Sequence, residues 1–206
     1  MSRAGGPIVI VASALFWGGQ GVQAQSTEST VGTPTGTSSE NPAPYSHDSR
    51  APRARAVRTN QPMVIDGLLD EAEWMTAPAI TDFIEVIPNE GRPFSEKTEV
   101  RLLYDDDHIY VGAWLWDDGE VFTGMARRDA GVPDADFFVV LFDSYHDHRT
   151  AYRFGTWPSG VQKDQILIGD GGLGDTSWDP VWDLKTTITD EGWFVEMRIP
   201  SGFCSS

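Results

Sequence analysis

Residues 98–116 carry the pattern that most limits what this chain can become. Within 108–116 (HIYVGAWLW), Ile109, Val111, Ala113 and Leu115 fall on one side, and Tyr110, Gly112, Trp114 and Trp116 on the other. A period of two belongs to a strand with two distinct faces, since a helix repeats every 3.6 residues. The run 98–104 (TEVRLLY) reaches it through Asp105, Asp106 and Asp107, a polar triplet suited to a hairpin connection. Residues 137–142 (FFVVLF) are apolar at every position, as expected of a strand covered on both faces. Strands are also expected over 151–156, 161–168, 183–189 and 193–199. In the last of these, Trp193, Val195, Met197 and Ile199 share one face, with Glu196 and Arg198 opposite. One helix is expected, over 69–75, opened by Asp70 and Glu71 and closed before Pro78. Short strands separated by Gly, Asp and Pro turns predict an all-β, antiparallel sandwich of jelly-roll type with one short N-terminal helix.

The chain divides into three by composition. Residues 1–24 read as a signal peptide. Arg3 supplies the positive start, 7–17 is apolar except for Ser13, and Val22-Gln23-Ala24 has the small-x-small form that signal peptidase accepts. The apolar run is shorter than the roughly 20 residues that a membrane-spanning helix needs. An exported protein is therefore expected, in the periplasm, at the outer membrane or outside the cell, with no direct membrane insertion of its own. Residues 25–60 are rich in Ser, Thr, Pro and Gly and poor in apolar side chains, which predicts a disordered linker. Arg50, Arg53, Arg55 and Arg58 give its end a positive charge, read as a solvated tether. Residues 61–206 are then one domain.

Charge narrows the partners. The whole chain carries a formal net charge of −16, which repels nucleic-acid phosphates and anionic lipid and leaves neutral sugars and divalent cations as candidates. Cys204 is the single cysteine, so no internal disulfide forms.

Four segments in order then carry a resemblance: IDGLLDEAEW (65–74), VRLLYDDDHIYVGAWLWDD (100–118), ADFFVVLFD (135–143) and DEGWFVEMRIP (190–200). Over about 62–200 the chain resembles carbohydrate-binding module family 9. It is most similar to the exported bacterial proteins that carry this module ahead of a C-terminal region expected to be an outer-membrane β-barrel. The resemblance implies a β-sandwich that binds rather than cleaves, with sugars held between tryptophans and structural calcium in some members. It also implies that strands normally follow 199–200, so the chain is expected to be a truncated relative of a longer protein. At three positions the chain departs from the sugar-binding pattern. Val132-Pro133-Asp134 stands where a stacking tryptophan is found, Val139 where a glutamate is, and Gly155 where an arginine is.

Site residues follow from residue chemistry. Trp157, before Pro158-Ser159-Gly160, and Trp178, before Asp179-Pro180, are the expected ligand contacts, because turns place aromatics where ligands dock. An indole face suits the C–H face of a pyranose, with neighbouring polar groups taking its hydroxyls. Trp74 and Trp182 are expected in the core. Calcium is the expected cofactor, held by Asp105, Asp107, Asp117, Asp134 and Asp136 at strand ends, since Ca²⁺ takes six to eight oxygen ligands. His146 and His148 flank Asp147 without a third ligand motif and read as a solvated loop. No nucleophile motif, phosphate loop or Cys/His cluster points to catalysis. The expected function is a non-catalytic module that binds polysaccharide or oligosaccharide, serving breakdown of xylan-type material. Two alternatives stand beside it: a structural or interaction domain of an outer-membrane barrel protein, and a fragment of a glycoside hydrolase.

Overall fold

A computed structural model describes residues 8–12 (backbone only), 54–85, 92–94, 96–124, 128, 135–169 and 174–204. Most of the expected signal peptide and linker therefore lie outside the described residues.

Two sheets make up the fold. The first runs β1–β5–β6–β7, with β1 Ile8–Ala12, β5 Phe138–Phe142, β6 Thr150–Thr156 and β7 Gln162–Ile168. The second runs β2–β3–β4–β9–β8, with β2 Val57–Arg58, β3 Thr98–Tyr104, β4 His108–Trp116, β8 Asp183–Thr189 and β9 Gly192–Pro200. Every pairing is antiparallel except β1 with β5 and β2 with β3. The expected hairpin forms in the expected place, with Thr98 opposite Leu115 and Tyr104 opposite Ile109. The all-β sandwich is thus the architecture of the chain.

Alternation decides which residues meet between the sheets. Ile109, Val111, Ala113 and Leu115 of β4 and Trp193, Val195, Met197 and Ile199 of β9 face Phe138, Val140, Phe142 and Phe154 of the first sheet. Trp182 joins this core, as expected. At about 25 cal/mol per Å² of apolar surface removed from water, a core of this size is the main source of stability.

The structure bears on four expectations and corrects one of them, the helix. Ile8–Ala12, inside the segment read as a signal peptide, pairs along β5 with Ile8 opposite Phe138 and Ala12 opposite Phe142. β2 lies inside the stretch read as linker, and its exposed Arg58 donates to Asp106 at 2.5 Å. The helix expected over 69–75 is a 3₁₀ turn, Ala72–Thr76. Leu69 has φ of +54°, a left-handed backbone that stops any helix from starting there. Trp74 is core, and it plugs the outer face of the second sheet.

That plug defines a strap, residues 62–77. Met63, Leu69, Trp74 and Ala77 pack on Leu103 and Tyr110, covering the side of the sheet that points away from the main core. Gly112 permits the contact: a Cβ there would come within 2.9 Å of both Leu69 Cδ2 and Trp74 Cζ3. Arg101 ties down the far end, its Nη1 donating to the carbonyl oxygens of Trp74 (3.2 Å) and Ala77 (2.8 Å). These bonds fasten the end of the strap to β3.

Candidate functional site

The first sheet also has an outward side, and it is built differently. Along β6 and β7, Arg153 lies opposite Gln165 and Gly155 opposite Lys163, so these four share one face with Val139 of β5. Phe137 lays its ring across Gly155, where a Cβ would meet Phe137 Cζ at 2.5 Å. Trp157 stacks beside it, ring centroids 4.8 Å apart and tilted by 47°. Cations cover both rings, with Arg153 Cζ 5.3 Å from the Phe137 centroid and Lys163 Nζ 6.0 Å from that of Trp157. The result is a row, Arg153–Phe137–Trp157–Lys163, of aromatic rings beneath two positive heads.

Electrostatically this row runs against the acidic chain around it. Arg153 is half-buried, and burial lowers its pKa from the ordinary value by opposing the charged form. Its Nη1 donates to Gln165 Oε1 at 3.2 Å, while its Nε has no hydrogen-bond partner. A guanidinium placed so can gain from a ligand that supplies an acceptor oxygen.

Trp157 is not at an exposed loop tip. It is 3% exposed, packed with Phe137 and Val139 beneath the turn that it opens. Trp157 O accepts from Gly160 N at 2.9 Å, and Thr186 Oγ1 of β8 donates to Pro158 O at 2.9 Å. The turn is therefore sewn to the second sheet, and the indole is drawn under it as a floor. Trp178 is half-buried, packed on Tyr152 (5.0 Å) and Phe154 (5.5 Å) at the side of the main core. The two tryptophans belong to different clusters and do not converge on one ligand.

A concavity of about 280 Å³ opens between β7 and β8, lined by Arg128, Gly160, Val161, Gln162 and Leu184. Arg128 Nη2 bonds Asp164 Oδ1 and Asp179 Oδ1, each at 2.7 Å, and Trp182 Nε1 donates to the same Asp164 oxygen at 3.0 Å. These bonds close the side of the sandwich and place Trp178 next to a latched Asp179.

The expected calcium ligands are scattered. Asp105 uses both oxygens within its own hairpin. Oδ1 accepts from the backbone N–H of Asp107 and His108, and Oδ2 from the Tyr110 hydroxyl at 2.6 Å. Although burial alone would raise the Asp105 pKa, the Tyr110 hydroxyl and those two N–H donors bring it below the ordinary value. Asp117 lies past the other end of β4, roughly 33 Å from Asp107 at about 3.3 Å per residue, and its Oδ1 accepts from Gly119 N. Asp136 Oδ2 accepts from Phe122 N at 2.9 Å. Asp134 lies outside the described residues. Among the described residues no group of three His, Cys, Asp or Glu could hold a metal ion. His146 and His148 stand with rings 4.7 Å apart, both at positive φ, and their loop is exposed.

Sequence reasoning missed Arg153, Lys163, Phe137 and Gln165. The signal was present as an alternation in 151–157 and 162–168, but it shows only once the two strands are paired.

No protein-family model and no curated protein matches the chain. Solved structures do. A carbohydrate binding module family 9 (CBM9) from Caldicellulosiruptor kristjanssonii in complex with cellotriose is 17% identical, over 72% of this chain and 67% of that one, with a TM-score of 0.47. The same organism's module in complex with glucose is 18% identical, over 72% and 69%, with a TM-score of 0.46. A likeness this shallow leaves the ligand to be read from this chain's own residues.

Proposed function

We propose that the chain is a non-catalytic carbohydrate-binding module of an exported bacterial protein, using the outer face of β5–β7. The observation that carries this reading is the row of Arg153 and Lys163 over Phe137 and Trp157, in a chain whose net charge is −16. The family resemblance over 62–200 supports it. Arg153 and Gln165 offer donors and an acceptor to sugar hydroxyls and ring oxygens, and the buried rings fix those polar heads in place. The ligand is an oligosaccharide or polysaccharide, and a plant-type xylan fits the role.

A second reading is an interaction domain of an outer-membrane barrel protein, without sugar binding. The burial of Trp157 favours it, since no stacking plane is offered there. A glycan array read with calcium and with chelator separates the two. Hits that disappear in Arg153→Ala and persist in Trp178→Ala establish the first reading. Silence across the array in both conditions leaves the second.

A further inference from the structure

The strap over the second sheet covers a buried acidic side chain. Glu196 sits on β9 opposite Gly112 of β4 and Lys185 of β8, on the face that the strap covers. It is fully buried. Its Oε2 accepts from the backbone N–H of Asp66 (2.9 Å) and of Gly67 (2.8 Å). Its Oε1 has no hydrogen-bond partner. Gly67 is at φ +86°, with its α-carbon so close to β8 that a Cβ would lie 2.8 Å from Thr187 Oγ1. This one carboxyl group thus accepts both N–H groups of the turn at 66–67.

The surroundings oppose a charge on it. From the strap come Asp66, whose Oδ1 accepts from Leu68 N, and Glu71, whose oxygens accept from Val64 N and Trp74 Nε1. From β8 comes Lys185, whose side chain is exposed, and from β4 come Gly112 and the neutral Tyr110. Arg101 of β3 is engaged with Glu99 and the strap carbonyls, and Arg198 of β9 with Asp183. No cation is bonded to Glu196 among the described residues.

We propose that Glu196 is a proton-operated clasp, which holds residues 62–77 on the sheet when its carboxyl group is neutral and loosens them when it ionises. In the neutral acid, one carbonyl oxygen accepts both N–H groups and no buried charge remains. In the carboxylate, a buried charge with one unbonded oxygen faces Glu71 and Asp66, which is costly in a low-dielectric site. Consistently, burial raises the Glu196 pKa from 4.5 to about 7, with Glu71 adding to the rise and the Gly67 and Asp66 N–H groups opposing it.

The sign follows from linkage. A carboxyl group with a raised pKa in the closed state stabilises that state fully below its ordinary value, and the advantage falls as pH rises towards 7. Hydrogen exchange at the Asp66 and Gly67 amides, corrected for the intrinsic pH dependence of exchange, reads this directly. Strap opening is expected to rise up to about tenfold per pH unit between pH 5 and 7 and then level off. In Glu196→Gln, which keeps an acceptor oxygen for both amides, the corrected opening is expected to be independent of pH. A flat profile in the unaltered protein, or an unchanged slope in Glu196→Gln, overturns the proposal. A second measurement needs no stable variant. A carboxyl-carbon NMR titration of the unaltered protein should give Glu196 a midpoint near 7, and a midpoint near the ordinary 4.5 overturns the clasp.

Discussion

The two sheets of this sandwich share one core but finish their outer sides in opposite ways. The strap seals the second sheet, with Leu69 and Trp74 pressed onto Gly112 and Arg101 fastening its end. The first sheet carries Arg153 and Lys163 over rings that belong to its own strand ends. Glycine has the same use in both: Gly112 admits the strap, and Gly155 admits Phe137. What differs is the origin of the cover. A segment distant along the chain makes a closed apolar seam, whereas side chains of the sheet itself leave polar heads at the surface.

Substitutions can break or sharpen that contrast. The largest effect is expected from Trp74→Ala on the sealed face. Removing a fully buried indole costs about 3–5 kcal/mol, read as a fall in thermal midpoint by circular dichroism. If the midpoint barely moves, the strap is not a structural seal. Next comes Gly112→Ala, whose new Cβ meets the strap at 2.9 Å and should cost about 1–3 kcal/mol. Gly155→Ala should cost less, because it displaces the far edge of a single ring; its mark is weakened glycan binding, as Arg153 loses its support. Equal destabilisation by the two alanines would erase the distinction between the faces.

On the open face, Arg153→Ala should leave the fold in place and weaken glycan binding tenfold or more. That matches about 1.5–3 kcal/mol for a hydrogen bond to a charged group. Isothermal titration against an oligosaccharide from the array measures it. The smallest effect is expected from Asp105→Asn, at about 1 kcal/mol, through the lost Tyr110 and turn hydrogen bonds. Because the Asp105 pKa is depressed, its contribution is present above the ordinary 3.8 and is lost as pH falls below that value. Denaturant melts of the two forms should therefore converge in acid.

The hairpin 98–116 and the inward sides of β4 and β9 were legible in the residues, because period two is a property of one strand read along itself. The register followed, since a slip by one would turn Val111 and Val195 to the wrong side. The strap was only half legible. Trp74 reads as core from its size, but the left-handed Leu69 that turns a helix into a flat strap depends on what lies beneath it. The site was least legible. Trp157 precedes a Pro-Ser-Gly turn, which suggests a loop tip, and only the bond from Thr186 to Pro158 shows that the turn is pulled down. Asp105 and Asp117 look close in sequence, yet an extended strand sets them at opposite ends of the sheet.

The sequence by itself determined that this chain makes strands and which side of each turns inward. Only the tertiary structure decided which outer face is closed, which tryptophans reach water, and that Glu196 lies beneath a backbone turn 130 residues away. Alternation is written locally, residue by residue. Exposure is set by whatever remote segment comes to lie on top, and no single strand records that.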